Sequence, residues 1–132
     1  MSELDALFEA ARAIQARAYT PYSRFKVGAA ILTPDGQVFS GCNVENAAYP
    51  QGACAETGAI SAMIAGGGSR IAAILVIGDG ANLVTPCGGC RQRLSEFAGP
   101  DVPVHLCGPE GIRRTTTVGQ LLPLAFDLRD GT

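Results

Sequence analysis

Ile71-Ala72-Ala73-Ile74-Leu75-Val76-Ile77 is an unbroken apolar run rich in β-branched residues, and its reading decides the fold. A strand with one wet face alternates apolar and polar residues, whereas a strand covered on both faces does not. The run therefore predicts a central strand between two layers. Just before it, Gly66-Gly67-Gly68 stops an alanine-rich, helix-permissive segment that begins at Cys54 and reaches about Ala65. After it, Pro86 opens a second helical segment, with Pro in its first turn, that reaches about Ala98 ahead of Gly99-Pro100.

Farther out, Val102–Cys107 and Ile112–Thr117 predict two more strands, and Val118–Leu122 a short closing helix. Upstream, Phe25–Thr33 and Val38–Asn43 flank Pro34-Asp35-Gly36, which predicts a hairpin. Leu4, Leu7, Phe8, Ala11, Ile14 and Ala18 recur at helical spacing behind Ser2 and Asp5, which frame a helix start. That helix should end before Tyr19, because Thr20 precedes Pro21. Asn46–Ala53, with Pro50 and Gly52, reads as loop. The order α, β, β, α, β, α, β, β, α predicts one α/β domain over residues 1–132, a five-stranded mixed sheet packed between helices.

The 132 residues are 47% hydrophobic and 17% charged, a composition that folds rather than staying disordered. Net charge is −2; Lys26 is the single lysine, and the arginines are dispersed. Grip on a polynucleotide backbone calls for a basic surplus or stripe, so no nucleic-acid partner is expected. The first 20 residues carry early acids and no continuous apolar stretch, so no signal peptide is read there. No apolar run reaches the roughly 18 residues of a membrane span. The expected location is the reducing cytoplasm, where an odd set of five cysteines points to metal binding or chemistry rather than disulfides.

The chemistry is carried by Cys54-Ala55-Glu56 and Pro86-Cys87-Gly88-Gly89-Cys90. Cys87 and Cys90 share a helix face, which Leu94 and Phe97 extend towards the core, and their spacing suits two corners of a zinc tetrahedron. Cys54 is a third ligand. Both halves open predicted helices, where unpaired N–H groups and the helix dipole favour thiolate. Glu56 faces the metal only if Cys54 sits at the helix start, since residues two apart diverge in mid-helix. Two other readings stay open at this point. The paired cysteines fill a core stripe, or the zinc is structural, with Cys42, Cys107 or His105 as fourth ligand. Cys42 and Cys107 read more simply as core residues, and His105 as a half-exposed strand histidine.

The ligand, spacer, glutamate and P-C-x-x-C pattern resembles that of zinc deaminases with three cysteine ligands. The chain resembles the small homotetrameric cytidine deaminases along nearly its whole length. The matching segments are Tyr22-Ser23-Arg24-Phe25-Lys26-Val27-Gly28-Ala29-Ala30, Gly41-Cys42-Asn43-Val44-Glu45-Asn46-Ala47-Ala48-Tyr49, Cys54-Ala55-Glu56, Pro86-Cys87-Gly88-Gly89-Cys90-Arg91-Gln92 and Leu121-Leu122-Pro123-Leu124-Ala125-Phe126. The resemblance implies a three-layer α/β/α fold and one Zn²⁺ per chain. It implies hydrolysis of free cytidine and deoxycytidine to uridine and deoxyuridine in pyrimidine salvage, with Glu56 as proton shuttle. Asn43 and Glu45 would bind the ribose hydroxyls, Phe25 would flank the pyrimidine, Tyr49 would help form the substrate loop, and Ala55 backbone groups would meet the base edge. Phe126 would reach a neighbouring subunit's site in the homotetramer.

One residue departs from the family pattern. Many members carry arginine directly after the glutamate, hydrogen-bonded to cysteine sulfurs; this chain has Thr57. Three thiolates on Zn²⁺ leave a formal charge of −1. Helix N-termini, with Arg91, are expected to carry the compensation instead. Three rival functions remain: a deaminase of another cytosine compound such as a nucleoside antibiotic, a polynucleotide-editing deaminase, and a non-catalytic zinc-stabilised binding module.

Overall fold

The computed structural model describes residues 2–128; the expected domain limits, 1 and 132, lie outside the described residues. The elements are α1 (Glu3–Gln15), β1 (Val27–Leu32), β2 (Val38–Cys42), α2 (Ala55–Ala65), β3 (Ala73–Gly78), α3 (Gly88–Phe97), β4 (Pro103–Gly108), β5 (Gly111–Thr117) and α4 (Val118–Leu121). The strands form one sheet in the order β2-β1-β3-β4-β5. β3 and β4 run parallel, joined across α3, and every other pairing is antiparallel. The expected order of elements and the mixed five-stranded sheet are both present.

The inner strands of the sheet are buried on both faces. Ala29, Ile31, Ile74, Val76, Val104 and Leu106 pack with Ala59, Ile60 and Met63 of α2 and Leu94 of α3. The alternate residues Ala30, Leu32, Leu75, Ile77 and Cys107 pack with Leu7 and Ala11 of α1. One helix covers one face and α2 with α3 covers the other, which gives three layers. β3 is buried along its whole length, which is why its sequence shows no alternation. Each fully buried Ile or Leu here contributes about 1.5–3 kcal/mol relative to exposure.

Two contacts fix the layers against each other, one on each face of the sheet. Gly41 in β2 lies against the start of α2, and a Cβ there would stand 2.3 Å from the Ala59 backbone nitrogen and 2.7 Å from the Ala55 carbonyl oxygen. Only glycine permits that approach. On the opposite face, Gln15 Nε2 donates to the Lys26 carbonyl and to Asp79 Oδ1, each at 3.0 Å, tying α1 to the segments flanking β1 and β3.

Several expected boundaries are corrected. α1 stops at Gln15 rather than near Ala18, because Arg17 and Ala18 donate to carbonyls three residues back and tighten the chain out of the helix. Its start is as expected, with Ser2 and Asp5 forming a reciprocal capping box. The hairpin strands are each shorter than read, and the Asn46–Ala53 loop contains a 3₁₀ turn at Tyr49–Gln51. Pro86 is not in the first turn of α3. The helix begins at Gly88, with Cys87 as an extended N-cap whose carbonyl accepts from Arg91 N–H at 3.0 Å.

Candidate metal and active site

Cys54 and Cys87 are both helix N-caps, extended residues at ψ 159° and 167°, and neither cap makes a side-chain hydrogen bond to its helix. Their sulfurs are thereby free to point away from their helices while remaining at the positive ends of the dipoles. Cys90 follows one turn into α3 and is fully buried. The three Sγ atoms lie within 4.8 Å of one another, and Cys54 and Cys87 are 3.7 Å apart. Zn–S bonds of about 2.3 Å at tetrahedral angles require sulfurs about 3.8 Å apart. The donor set fits zinc.

The electrostatics point the same way. Burial pushes the Cys54 thiol up, with a further push from Cys87. Burial also pushes Cys90 up, and the charges of Glu56, Cys54 and Cys87 add to the effect. Cys87 moves down because the Cys90 backbone N–H stabilises its thiolate. Three thiolates beside a carboxylate are an unfavourable cluster unless a cation sits among them.

Glu56, the second residue of α2, is 4% exposed. Burial raises its carboxyl above the ordinary range, partly offset by its own backbone N–H, the Cys90 side chain and the Arg93 charge. It stands two residues past the N-cap Cys54, at the helix start that its spacing from Cys54 required, with the Cys90 side chain as a partner. No fourth protein ligand joins the sulfurs among the described residues. His105 is bonded through Nδ1 to Thr115 Oγ1 at 2.9 Å, and Cys107 packs on the α1 side of the sheet. Cys42, expected in the core, is only partly buried.

The remaining candidates gather around the chain that leads into Cys54. Val44 pairs with Ala53 in an isolated bridge, so Asn43 and Glu45 run beside the segment entering α2. Asn43 Oδ1 accepts from Val27 N–H and its Nδ2 donates to the Phe25 carbonyl, both at 2.9 Å. Glu45 Oε1 accepts from the backbone N–H groups of Tyr22 and Ser23 at 3.0 and 3.1 Å, and its Oε2 accepts from Ser23 Oγ. The Ser23 hydroxyl is the chief reason the Glu45 carboxyl lies below its ordinary value. Tyr22, Ser23, Glu45, Asn46, Tyr49 and Gly52 line one cleft, with the rings of Tyr22 and Tyr49 edge-on at 6.3 Å. Phe25 is partly exposed, and Ala55, the first residue of α2, is buried.

Phe126 is 70% exposed; its carbonyl accepts from Gln92 Nε2 at 3.1 Å, and it lines a different cleft with Phe97, Val118 and Leu124. Arg91 does not reach the sulfurs as expected. Its guanidinium donates to the carbonyls of Pro86 and Leu121 and to Thr85 Oγ1, where it braces the loop before Cys87 against α4. The arginine at the sulfurs is Arg93, with Nη1 3.7 Å from Cys90 Sγ. Its place one helical turn after Cys90 was the available signal.

Residues 1–106 match the family model described as the cytidine and deoxycytidylate deaminase zinc-binding region. The chain is similar to a cytidine deaminase of Sporosarcina psychrophila, at 40% identity over 97% of this chain and 94% of that protein. It is also similar to a cytidine deaminase of Halalkalibacterium halodurans, at 46% identity over 89% and 91%. The crystal structure of cytidine deaminase from Burkholderia pseudomallei superposes with a TM-score of 0.88 at 48% identity, covering 96% of this chain and 100% of that one. With the zinc-fitting sulfur group at the starts of α2 and α3, the chain belongs to the cytidine and deoxycytidylate deaminase family.

Proposed function

We propose that this chain is a zinc-dependent hydrolase converting free cytidine and 2′-deoxycytidine to uridine and deoxyuridine with release of ammonia, and that Glu56 moves the protons. The observation that carries the reading is the group of Cys54, Cys87 and Cys90 with the buried Glu56 carboxyl at the head of α2. The relatives described as cytidine deaminases support the substrate. A bound Zn²⁺ supplies Lewis-acid activation of water.

Glu56 takes a proton from the attacking water as its oxygen bonds to C4 of the base. It passes that proton to N3, then takes the proton of the new C4 hydroxyl and passes it to the amine, so that the C4–N bond breaks and a carbonyl remains at C4. A carboxyl raised by burial suits a group that must both accept and return protons. Ala55 backbone groups meet the base edge, and Phe25 flanks the ring. Asn43 and Glu45 bind the ribose hydroxyls while holding the Tyr22–Val27 segment through the bonds described above. Tyr49 closes the cleft over Tyr22.

The same reading takes residues 1–132 as one deaminase domain acting in the reducing cytoplasm, where thiolate ligands persist; the cysteines of this chain are free of disulfides. No helix among the described residues is long and apolar enough to cross a membrane. It also takes the assembly as a homotetramer in which Phe126 reaches a neighbouring site. The exposed side chains of Leu124, Phe126 and Leu128 near the end of the chain support an apolar contact there.

The test is to incubate the purified protein with cytidine, follow the fall in absorbance as uridine forms, and measure zinc per chain. Turnover with one zinc per chain is expected. A zinc-replete protein that leaves cytidine unchanged contradicts the assignment.

A further inference from the structure

Cys90 is the sulfur that solvent cannot reach, at 0% exposure, so water does not screen its charge as a thiolate. Two side chains approach it from facing helices. Thr57 Oγ1 on α2 is 3.9 Å away, and Arg93 Nη1 on α3 is 3.7 Å away. Thr57 and Arg93 also line one shallow cleft between the helices, with Gln92 and Glu96. The Arg93 side chain folds back towards the start of α3 across Gly89, where a Cβ would stand 3.0 Å from Nη1. A helical side chain leans towards the N-terminus, so the bare glycine leaves the guanidinium a path to the sulfur.

The charges determine which donor matters. Zn²⁺ with three thiolates carries −1, and the neighbouring Glu56 adds to the negative field. A threonine hydroxyl offers one neutral hydrogen bond, whereas a guanidinium brings a full positive charge, and charge-assisted bonds are roughly twice as strong.

We propose that Arg93 is the charge-compensating and positioning residue of the three-sulfur site, set against the Cys90 sulfur and fixing its orientation in place of a cation on α2. The proposal rests on the zinc reading above. The loaded site carries a net negative charge, so it is favoured by a fixed cation at Cys90. Removing it weakens metal binding even where the fold is unchanged. Restoring a cation from the other helix recovers the binding, because Thr57 stands over the same sulfur.

The experiment measures zinc affinity by competition with a chromophoric chelator in the full-length wild type, Arg93→Ala, Arg93→Lys and the double variant Thr57→Arg/Arg93→Ala. The thiolate-to-metal charge-transfer band of each Co²⁺-substituted protein is recorded alongside. The expected result is a 10–100-fold loss of zinc affinity in Arg93→Ala, the range for removal of an outer-shell partner. That loss should come with a shifted cobalt band, be smaller in Arg93→Lys, and be largely reversed in the double variant. Wild-type affinity and spectrum in Arg93→Ala overturn the proposal. So does a loss that Thr57→Arg fails to reverse, because a folding defect gains nothing from a new arginine. Cytidine turnover of the wild type is scored separately: full zinc without turnover retires the assigned reaction and leaves the role of Arg93 standing.

Discussion

The sulfurs of Cys54 and Cys87 lie 3.7 Å apart although 33 residues separate them in the chain, and each belongs to a helix N-cap. The central strand β3 makes this possible. α2 leads into it and α3 leaves it, both on the same face of the sheet, so the N-termini of the two helices meet. Their dipoles converge on the sulfurs and favour the charged thiolates. The metal site is thus a consequence of the layer topology.

Because both apolar cores are built from side chains other than the three cysteine ligands, chelation should leave the fold in place. Circular dichroism of the metal-free protein should retain its helix and strand signal, while cytidine turnover disappears and returns on adding Zn²⁺. Collapse of the secondary structure on chelation contradicts a catalytic site and favours a structural one.

Glu45 fastens Tyr22 and Ser23 and faces the cleft assigned to the ribose. Glu45→Ala removes the carboxylate proposed to accept from a ribose hydroxyl and should raise KM by roughly 10–100-fold. Steady-state kinetics that return the wild-type KM refute the ribose role.

Gly41 is required by the closeness of β2 to α2. Gly41→Ala places a methyl group against the Ala55 and Ala59 backbone and should cost about 1–3 kcal/mol of stability. Denaturant unfolding reads the change, and a variant as stable as wild type shows that the helix has room to retreat.

His105 gives a pH dependence. Burial disfavours its charged form and lowers its pKa from the ordinary value of 6.5. As pH falls below about 6.5 the unfolded chain binds a proton that the folded chain refuses, so stability drops on the acid side. Thermal melts across that range should show a falling Tm, with a flatter fall in His105→Gln. Equal slopes for the two proteins contradict this account.

Much of the fold was legible because the burial pattern is written plainly. The apolar run ending at Ile77 gave the central strand, and the Pro34-Asp35-Gly36 turn gave the hairpin, where Gly36 takes φ +88°. The end of α1 was not legible, because Gln15 is claimed by Lys26 and Asp79, distant partners that helical periodicity does not reveal. Pro86 marked the neighbourhood of α3 but not its first residue, since the N-cap must be extended and Cys87 takes that place. In the site, the cysteine spacing was informative because tetrahedral geometry constrains it. Arg91, expected with the helix N-termini to offset the charge of the sulfurs, is bonded instead to Pro86, Leu121 and Thr85. An arginine adjacent to the ligand points elsewhere on a helix, and the one three residues on reaches the sulfur.

The central claim is that three sulfurs hold the metal while the Glu56 carboxyl moves protons. The most direct measurement is zinc per chain and cytidine turnover on the same preparations of wild type and Glu56→Ala. The account predicts equal zinc in both and a loss of at least about 10²–10⁴ in turnover for the variant. Near-normal turnover in Glu56→Ala, or metal that departs with the carboxyl, contradicts it.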